Sequence, residues 1–296
     1  MIVARPLLAR GARLASAAEA EGVAARLLGG VGVGVLLGER WPERCRRDHG
    51  DIDLAAPGRD RRALAALLER EGFVPDREFN ALHGRERLVF AGDDGVKVDV
   101  VLDVLRMCHA ISLAEGFEAP GPALPAWLLL VSKLQVVELA EKDRLDIAAL
   151  LLGCRFEELE PDRIARDCAG DWGLWRSLTG TLHAVSGVIH AYLYIHGYRD
   201  IPTVGPAFLV QASVFCALAV LILAGGPAWL QLVAAIGAAG SLVAFALSRT
   251  VGLFGFSETG WQPAPYAVIT VVVEVLTLLL VGAMALRQRP RASKDV

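Results

Sequence analysis

Apolar positions along this 296-residue chain fall into two regimes. Gly205 to Gly226, Ala228 to Leu247 and Tyr266 to Leu286 are apolar almost throughout, each about 20 residues long, enough to cross a bilayer. Leu178 to Ile195 is a fourth such run, less apolar, with His183 and His190 inside it. Before it the pattern is periodic. Ala15 to Leu28 and Asp60 to Glu71 have helical spacing, the second with Leu64, Leu67 and Leu68 on one face and Gly72 as its stop. Asp51 to Ala55, Arg87 to Ala91 and Val96 to Asp103 alternate as strands, the last two joined by a tight Asp93-Asp94-Gly95 turn. In the last strand Val98, Val100 and Leu102 face a core, while Asp99 shares the other face with Lys97, Val101 and Asp103. Phe156 to Trp175 is charged and closes this part as soluble helix.

The pattern thus predicts an α+β domain, a mixed sheet with flanking helices, over residues 1–175. A transmembrane domain follows over 176–290, with spans near 178–195, 205–226, 228–247 and 266–286, and then a tail, 291–296. Charge agrees: of 30 Lys and Arg and 33 Asp and Glu residues, only ten lie from Leu178 onward. A net charge of −3 gives no electrostatic reason to expect nucleic acid or acidic lipid as a charge-driven partner. Five cysteines without a C-x-x-C pattern give neither a zinc ribbon nor a disulfide framework, so free thiols in a reducing compartment are expected. Residues 1–6 lack the apolar core of a signal peptide. Arg287, Arg289, Arg291 and Lys294 follow the last span, which favours a cytoplasmic C-terminus. With the first domain also cytoplasmic the span number is even. The expectation is an all-α four-helix bundle in the cytoplasmic membrane with both termini inside.

Candidate chemistry centres on Arg46-Arg47-Asp48-His49-Gly50-Asp51-Ile52-Asp53-Leu54. Residues i and i+2 of a strand share a face, so Asp51 and Asp53 point one way while Ile52 and Leu54 anchor the other. Such a pair is either a solvated strand end or, because close like charges repel, the seat of a hard divalent cation such as Mg²⁺ (or Mn²⁺). Asp99 on a neighbouring strand supplies a third acid, and carboxylate trios of this kind hold metal ions for displacement at phosphorus. Gly29-Gly30 lets backbone N–H groups approach a phosphate, because no Cβ intervenes. His49 and His83 read as surface loop residues, His109 as packed beneath the sheet, and Arg85 and Arg87 as surface charges; Asn80 and Arg87 could instead line an acceptor pocket. In the apolar half Glu274 falls mid-span, and His183 and His190, seven apart, share a helical face and could pair with it. That cluster is either a proton, metal or ligand site or a hydrogen-bonded registry lock.

The glycine pair, a short helix, a variable loop, D-x-D and a later aspartate resemble the polymerase-β-type nucleotidyltransferase superfamily. The nearest likeness is to small bacterial members, including toxin components of abortive-infection systems. Leu128 to Gln135 followed by Glu141-Lys142-Asp143-Arg144-Leu145-Asp146-Ile147 looks like their helical segment, a lysine-bearing helix and then K-D-x-x-D. The resemblance covers roughly residues 15 to 175. It implies Asp51, Asp53 and Asp99 as metal ligands and catalytic acids, Gly29 and Gly30 as a phosphate turn, Lys133 as a phosphate contact and Asp143 as a supporting residue. It implies a nucleoside triphosphate as substrate, a small molecule, RNA end or protein as acceptor, and leaves room for a separate partner protein. The chain departs from the pattern at Val31, where many relatives carry Ser or Thr, and in glycines and valines that form helices poorly. A non-catalytic module of the same fold, tied to the bilayer domain, is the second expectation.

Overall fold

The computed structural model describes residues 5–135, 140–168 and 170–288. The expected tail, 291–296, and Arg289 lie outside the described residues. The chain divides into two compact units, Met1–Leu159 and Glu160–Val296, whereas the charge pattern alone draws the line near residue 175.

The first unit is built on a five-stranded mixed sheet. Helix α1 (Arg5–Ala20) is followed by strand β1 (Arg26–Leu28), helix α2 (Gly29–Leu37) and strand β2 (Asp51–Ala56). Helix α3 (Arg61–Arg70), strand β3 (Phe73–Pro75), helix α4 (Arg77–His83), and strands β4 (Arg87–Gly92) and β5 (Lys97–Leu102) complete the sheet and its cover. Strand order is β1-β2-β5-β4-β3. The β2–β5 pair is parallel, and the other three pairs are antiparallel. A small antiparallel ribbon of β6 (Val104–Arg106) and β7 (Ala110–Ser112) precedes helices α5 (Ala126–Leu134) and α6 (Glu141–Gly153).

Alternation along the central strands explains the core. Ile52, Leu54, Val98 and Val100 are fully buried against Leu64, Leu68, Phe73 and Phe90. Two local expectations are corrected. The helix expected over Ala15–Leu28 ends at Ala20, because Gly22 takes a left-handed φ of 76° and Arg26–Leu28 pairs with β2. A three-residue strand buried throughout has no alternation to announce it. Asp103 is not a strand-face residue: its φ is 57°, and its Oδ1 accepts the Gly58 N–H at 2.9 Å.

The glycine- and valine-rich α2 forms despite weak helix propensity because it is buried nearly throughout, where packing outweighs intrinsic preference. Its glycines set the packing distance. A Cβ at Gly34 would meet the Trp41 ring at 2.6 Å and Leu8 at 2.8 Å.

The second unit contains α7 (Pro161–Cys168), α8 (Trp172–Leu193), α9 (Val204–Leu223), α10 (Trp229–Thr250) and α11 (Tyr266–Gln288). Among the described residues three helical stretches are long and apolar enough to cross a membrane: Val204–Leu223, Trp229–Thr250 and Tyr266–Leu286. The expected fourth, α8, has 22 residues but carries Arg176, Thr179, Thr181, His183, Ser186 and His190, and these hold its hydropathy below the other three. It packs on α9 and α11, as does α10. Val210, Val220, Leu232, Ile236 and Val243 on α9 and α10 are exposed, an apolar surface suited to lipid.

Gly34→Ala tests the packing account of α2. On propensity alone alanine gains about 1 kcal/mol over glycine in a helix. Overpacking against Trp41 and Leu8 is expected to reverse the sign, for a net loss of about 1–3 kcal/mol in urea denaturation of the purified chain.

Candidate functional site

The parallel register of β2 and β5 sets Asp53 beside Asp99 and Asp51 beside Lys97. Because Ile52, Leu54, Val98 and Val100 occupy the core face, the three acids share the opposite one. They open into a cleft of about 610 Å³ whose walls include Gly29, Asp51, Asp53, Arg87, Asp99, Lys133 and Asp143, together with Phe79, His83 and Met107.

Gly29 sits where β1 turns into α2, with φ 63°. A Cβ there would collide with the Asp53 carboxylate, and one at Gly30 would strike the Arg47 guanidinium and lie 2.8 Å from the His49 ring. The glycine pair is thus dictated by close approach as well as by backbone conformation. Directly after Gly29 the first-turn N–H groups of α2 lack intrahelical acceptors, and a helix N-terminus favours anions.

Charge at the site is unevenly matched. Burial, then the negative charges of Asp51 and Asp99, push the Asp53 carboxyl up to about 6; Lys133 and Arg87 oppose this only in part. Arg87 is not an ordinary surface charge. Its Nε donates to Asp99 Oδ1 at 2.7 Å, and Nη2 donates to Oδ2, so the third acid is held by a two-pronged ion pair.

Lys133 lies behind the cleft in a buried network. Its Nζ is 2.9 Å from both Asp143 Oδ1 and Asp146 Oδ2. Arg47 grips Asp146 from the other side, Nε to Oδ1 at 3.0 Å and Nη2 to Oδ2 at 2.8 Å. Burial works against the Lys133 ammonium, but Asp146 and Asp143 more than offset it and hold its pKa above the ordinary value. Burial likewise works against ionised Asp146, yet the bonds from Arg47 and Lys133 hold its carboxyl below the usual range. His49 stacks on Trp41 at 5.7 Å, and burial followed by the Arg47 charge pushes it down to about 4, so it is neutral near pH 7.

Of the residues singled out in the sequence, Gly29, Asp51, Asp53, Asp99, Lys133 and Asp143 line one cleft; Gly30 packs against the Arg47–His49 loop instead. Arg47, His49 and Asp146 were not singled out as site residues. Their signal was present in the Arg-Arg-Asp-His run before D-x-D and in Asp143 and Asp146 three apart on one helix face. His49 is half-buried rather than a surface residue, whereas His83 is exposed at the rim. Asn80 does not line the carboxylate cleft. Its amide is spent on both backbone groups of Val89, which fastens α4 to β4. His109 lies in the β6–β7 turn, where its N–H donates to Gln135 Oε1.

In the second unit Ser186 Oγ donates to Glu274 Oε1 at 3.0 Å, and His190 Nδ1 lies 2.8 Å from the Ser186 carbonyl oxygen. His190 therefore reaches Glu274 only through Ser186. His183 does not join them: its Nε2 is 3.2 Å from the Ala234 carbonyl and its ring packs on Phe215.

Asp51 and Asp53 suit a hard divalent cation: they are neighbouring all-oxygen donors on one strand face, and Asp53 is half-buried beside like charges. Among the described residues no three carboxylate, imidazole or thiol groups stand ready to hold a metal ion together. Asp99, the third acid of the cleft, is paired with Arg87.

The first unit is, in class, an α+β domain with an aspartate-lined cleft beside a helix N-terminus. No family model and no curated protein matches the chain. Among solved structures it is similar to the lincosamide antibiotic adenylyltransferase LnuA in its lincomycin-bound form. Identity is 17% and the TM-score 0.37, over 50% of this chain and 97% of that one.

Asp146→Ala leaves Arg47 and Lys133 without their shared counter-ion. It should cost about 3–5 kcal/mol in denaturant unfolding of the purified chain, more than Asp143→Ala, which leaves Lys133 its Asp146 partner. Asp53→Asn should act oppositely. A folded-state pKa raised from 3.8 to about 6 means the native state holds the extra proton, so stability falls as pH rises from about 4 to about 6. The variant should flatten that slope and exceed the wild type by roughly 1–3 kcal/mol at pH 7 without divalent ions. Added Mg²⁺ should raise the wild-type Tm and leave the variant's unchanged.

Proposed function

We propose that the first unit is a nucleotidyltransferase that moves a nucleoside monophosphate from a nucleoside triphosphate to a hydroxyl acceptor. The observation that carries this reading is the β2–β5 register, which brings Asp51, Asp53 and Asp99 to one cleft beside the Gly29 turn. Magnesium or manganese would be held by Asp51 and Asp53, with Asp99 as third ligand, and when bound supplies charge neutralisation for the triphosphate. The N–H groups at the start of α2 receive phosphate oxygens. Lys133, anchored by Asp143 and Asp146, adds fixed positive charge at the back of the cleft. The acceptor oxygen forms a bond to the α-phosphorus, the bond from that phosphorus to the bridging oxygen breaks, and pyrophosphate departs with the electron pair. Asp99, freed from Arg87, takes the acceptor's proton. The acceptor is a small molecule, an RNA end or a protein, and a separate partner protein is compatible with the exposed rim of the cleft.

The second unit tethers this domain to a bilayer. The three apolar helices cross it, and α8 makes a fourth crossing shielded by α9 and α11, which leaves both termini on the cytoplasmic side of the cytoplasmic membrane. On this reading the nucleotidyltransferase domain runs to about residue 175, past the Leu159 boundary of the first compact unit.

One observation favours a second reading. With Arg87 locked on Asp99 and Val31 in place of a hydroxyl residue, the unit would bind nucleotide without turning it over and serve as a sensor coupled to the membrane helices. The purified chain, incubated with each α-labelled nucleoside triphosphate, Mg²⁺ and cell extract, separates the two. Transfer of label to an acceptor is expected, with a loss of about 10²-fold or more in Asp53→Asn. Binding without transfer for every triphosphate sinks the enzyme reading in favour of the sensor.

A further inference from the structure

The second unit contains a partly open cavity of about 90 Å³ between α8, α9, α10, α11 and the loop that joins the last two. Its walls combine the aromatic rings of Phe208 and Phe245 with the polar groups of Glu274, Ser241 and Thr270. Glu274 is only 2% exposed, and its hydrogen-bond partners are the hydroxyls of Ser186 and Ser241, which carry no charge. The guanidinium that lines the cavity, Arg249, is committed elsewhere. It pairs with Glu258 at 2.9 Å and donates to the Gly260 carbonyl at 2.9 Å and to Ser248 Oγ at 2.7 Å. Thr270, 9% exposed and one helical turn from Glu274, has no hydrogen-bond partner for its hydroxyl oxygen among the described residues.

A carboxylate withdrawn from water is costly unless it takes a proton or a positive charge accompanies it; Arg249 is spent on Glu258, and His190, also in the wall, is held 2.8 Å from the Ser186 carbonyl rather than at Glu274. Hydroxyl oxygens beside it accept hydrogen bonds from a cation, and aromatic faces attract one. At about 90 Å³ the cavity suits a ligand of a few heavy atoms. We propose that this cavity is a binding site for a compact organic ammonium ion, with Glu274 as its counter-charge and Ser241 and Thr270 as hydrogen-bond acceptors. The Arg249–Glu258 pair, joined by the hydrogen bond from Tyr198 to Glu258, lines the same cavity as a neutral wall that does not repel the ligand.

The test uses the full chain purified in detergent, with methylammonium and ethylammonium chloride as probes and sodium chloride at equal ionic strength as control. Equilibrium dialysis of labelled methylammonium should give saturable binding of one ion per chain, and either ammonium should raise the Tm above the sodium control. Glu274→Gln, which keeps the shape and removes the charge, should weaken binding about tenfold or more. Asp53→Asn should leave it unchanged, so the outcome is independent of any nucleotide chemistry. Absence of saturable binding in the wild type, or equal binding in Glu274→Gln, overturns the proposal. Should Glu274→Gln fail to fold, Thr270→Val takes its place: weaker binding supports the site, and unaltered binding overturns it.

Discussion

Everything in the first unit depends on the parallel pairing of β2 with β5. That register sets two short strands so that four apolar residues enter the core and three aspartates leave it on the same side. Burial, and then the neighbouring charges of Asp51 and Asp99, disfavour an ionised Asp53 and raise its pKa. A sheet edge that concentrates like charge in a concave, partly buried place is poor structural economy, and it makes sense when a cation and an anionic ligand complete it.

The rest of the unit holds that edge in place. Gly29 yields the space that the Asp53 carboxylate fills, and Gly30 yields the space for Arg47 and His49. Arg47 then reaches Asp146 on α6, which also receives Lys133 from α5. A single buried carboxylate thereby ties the loop before D-x-D to both helices at the back of the cleft. Arg87 plays a different part. It is half-exposed, sits at the cleft and neutralises Asp99, so the third acid is masked.

The second unit follows a different solvent logic. Its apolar residues face outward on α9 and α10, and its polar ones are gathered inward around α8 and α11. In water that distribution is inverted; in a bilayer it is the stable one. The inward hydroxyls of Ser186 and Ser241 hydrogen-bond Glu274 and so tie α8 and α10 to α11.

The sequence by itself determined the two-part plan, the three apolar helices, the alternation of β2 and β5, the hairpin at Gly95 and the identity of the acids. Each of these is a local periodicity or a composition, which a chain displays without folding. It did not determine where α1 ends, since β1 is a buried run of three residues with no period of its own. The short helix expected after the glycine pair is present as α2, but its local propensity does not account for it, because its glycines serve contacts with Trp41, Leu8 and Asp53 that exist only after packing. The engagement of Arg87 with Asp99, the Arg47–Asp146–Lys133 network and the separation of His183 from Glu274 likewise belong to the tertiary structure. Charged partners 12 to 99 residues apart leave no spacing to read, and which of two candidate histidines joins the Ser186–Glu274 hydrogen bond is fixed by how the helices pack. The D-x-D pair was legible; what shields it, anchors it and competes for it was decided by the fold.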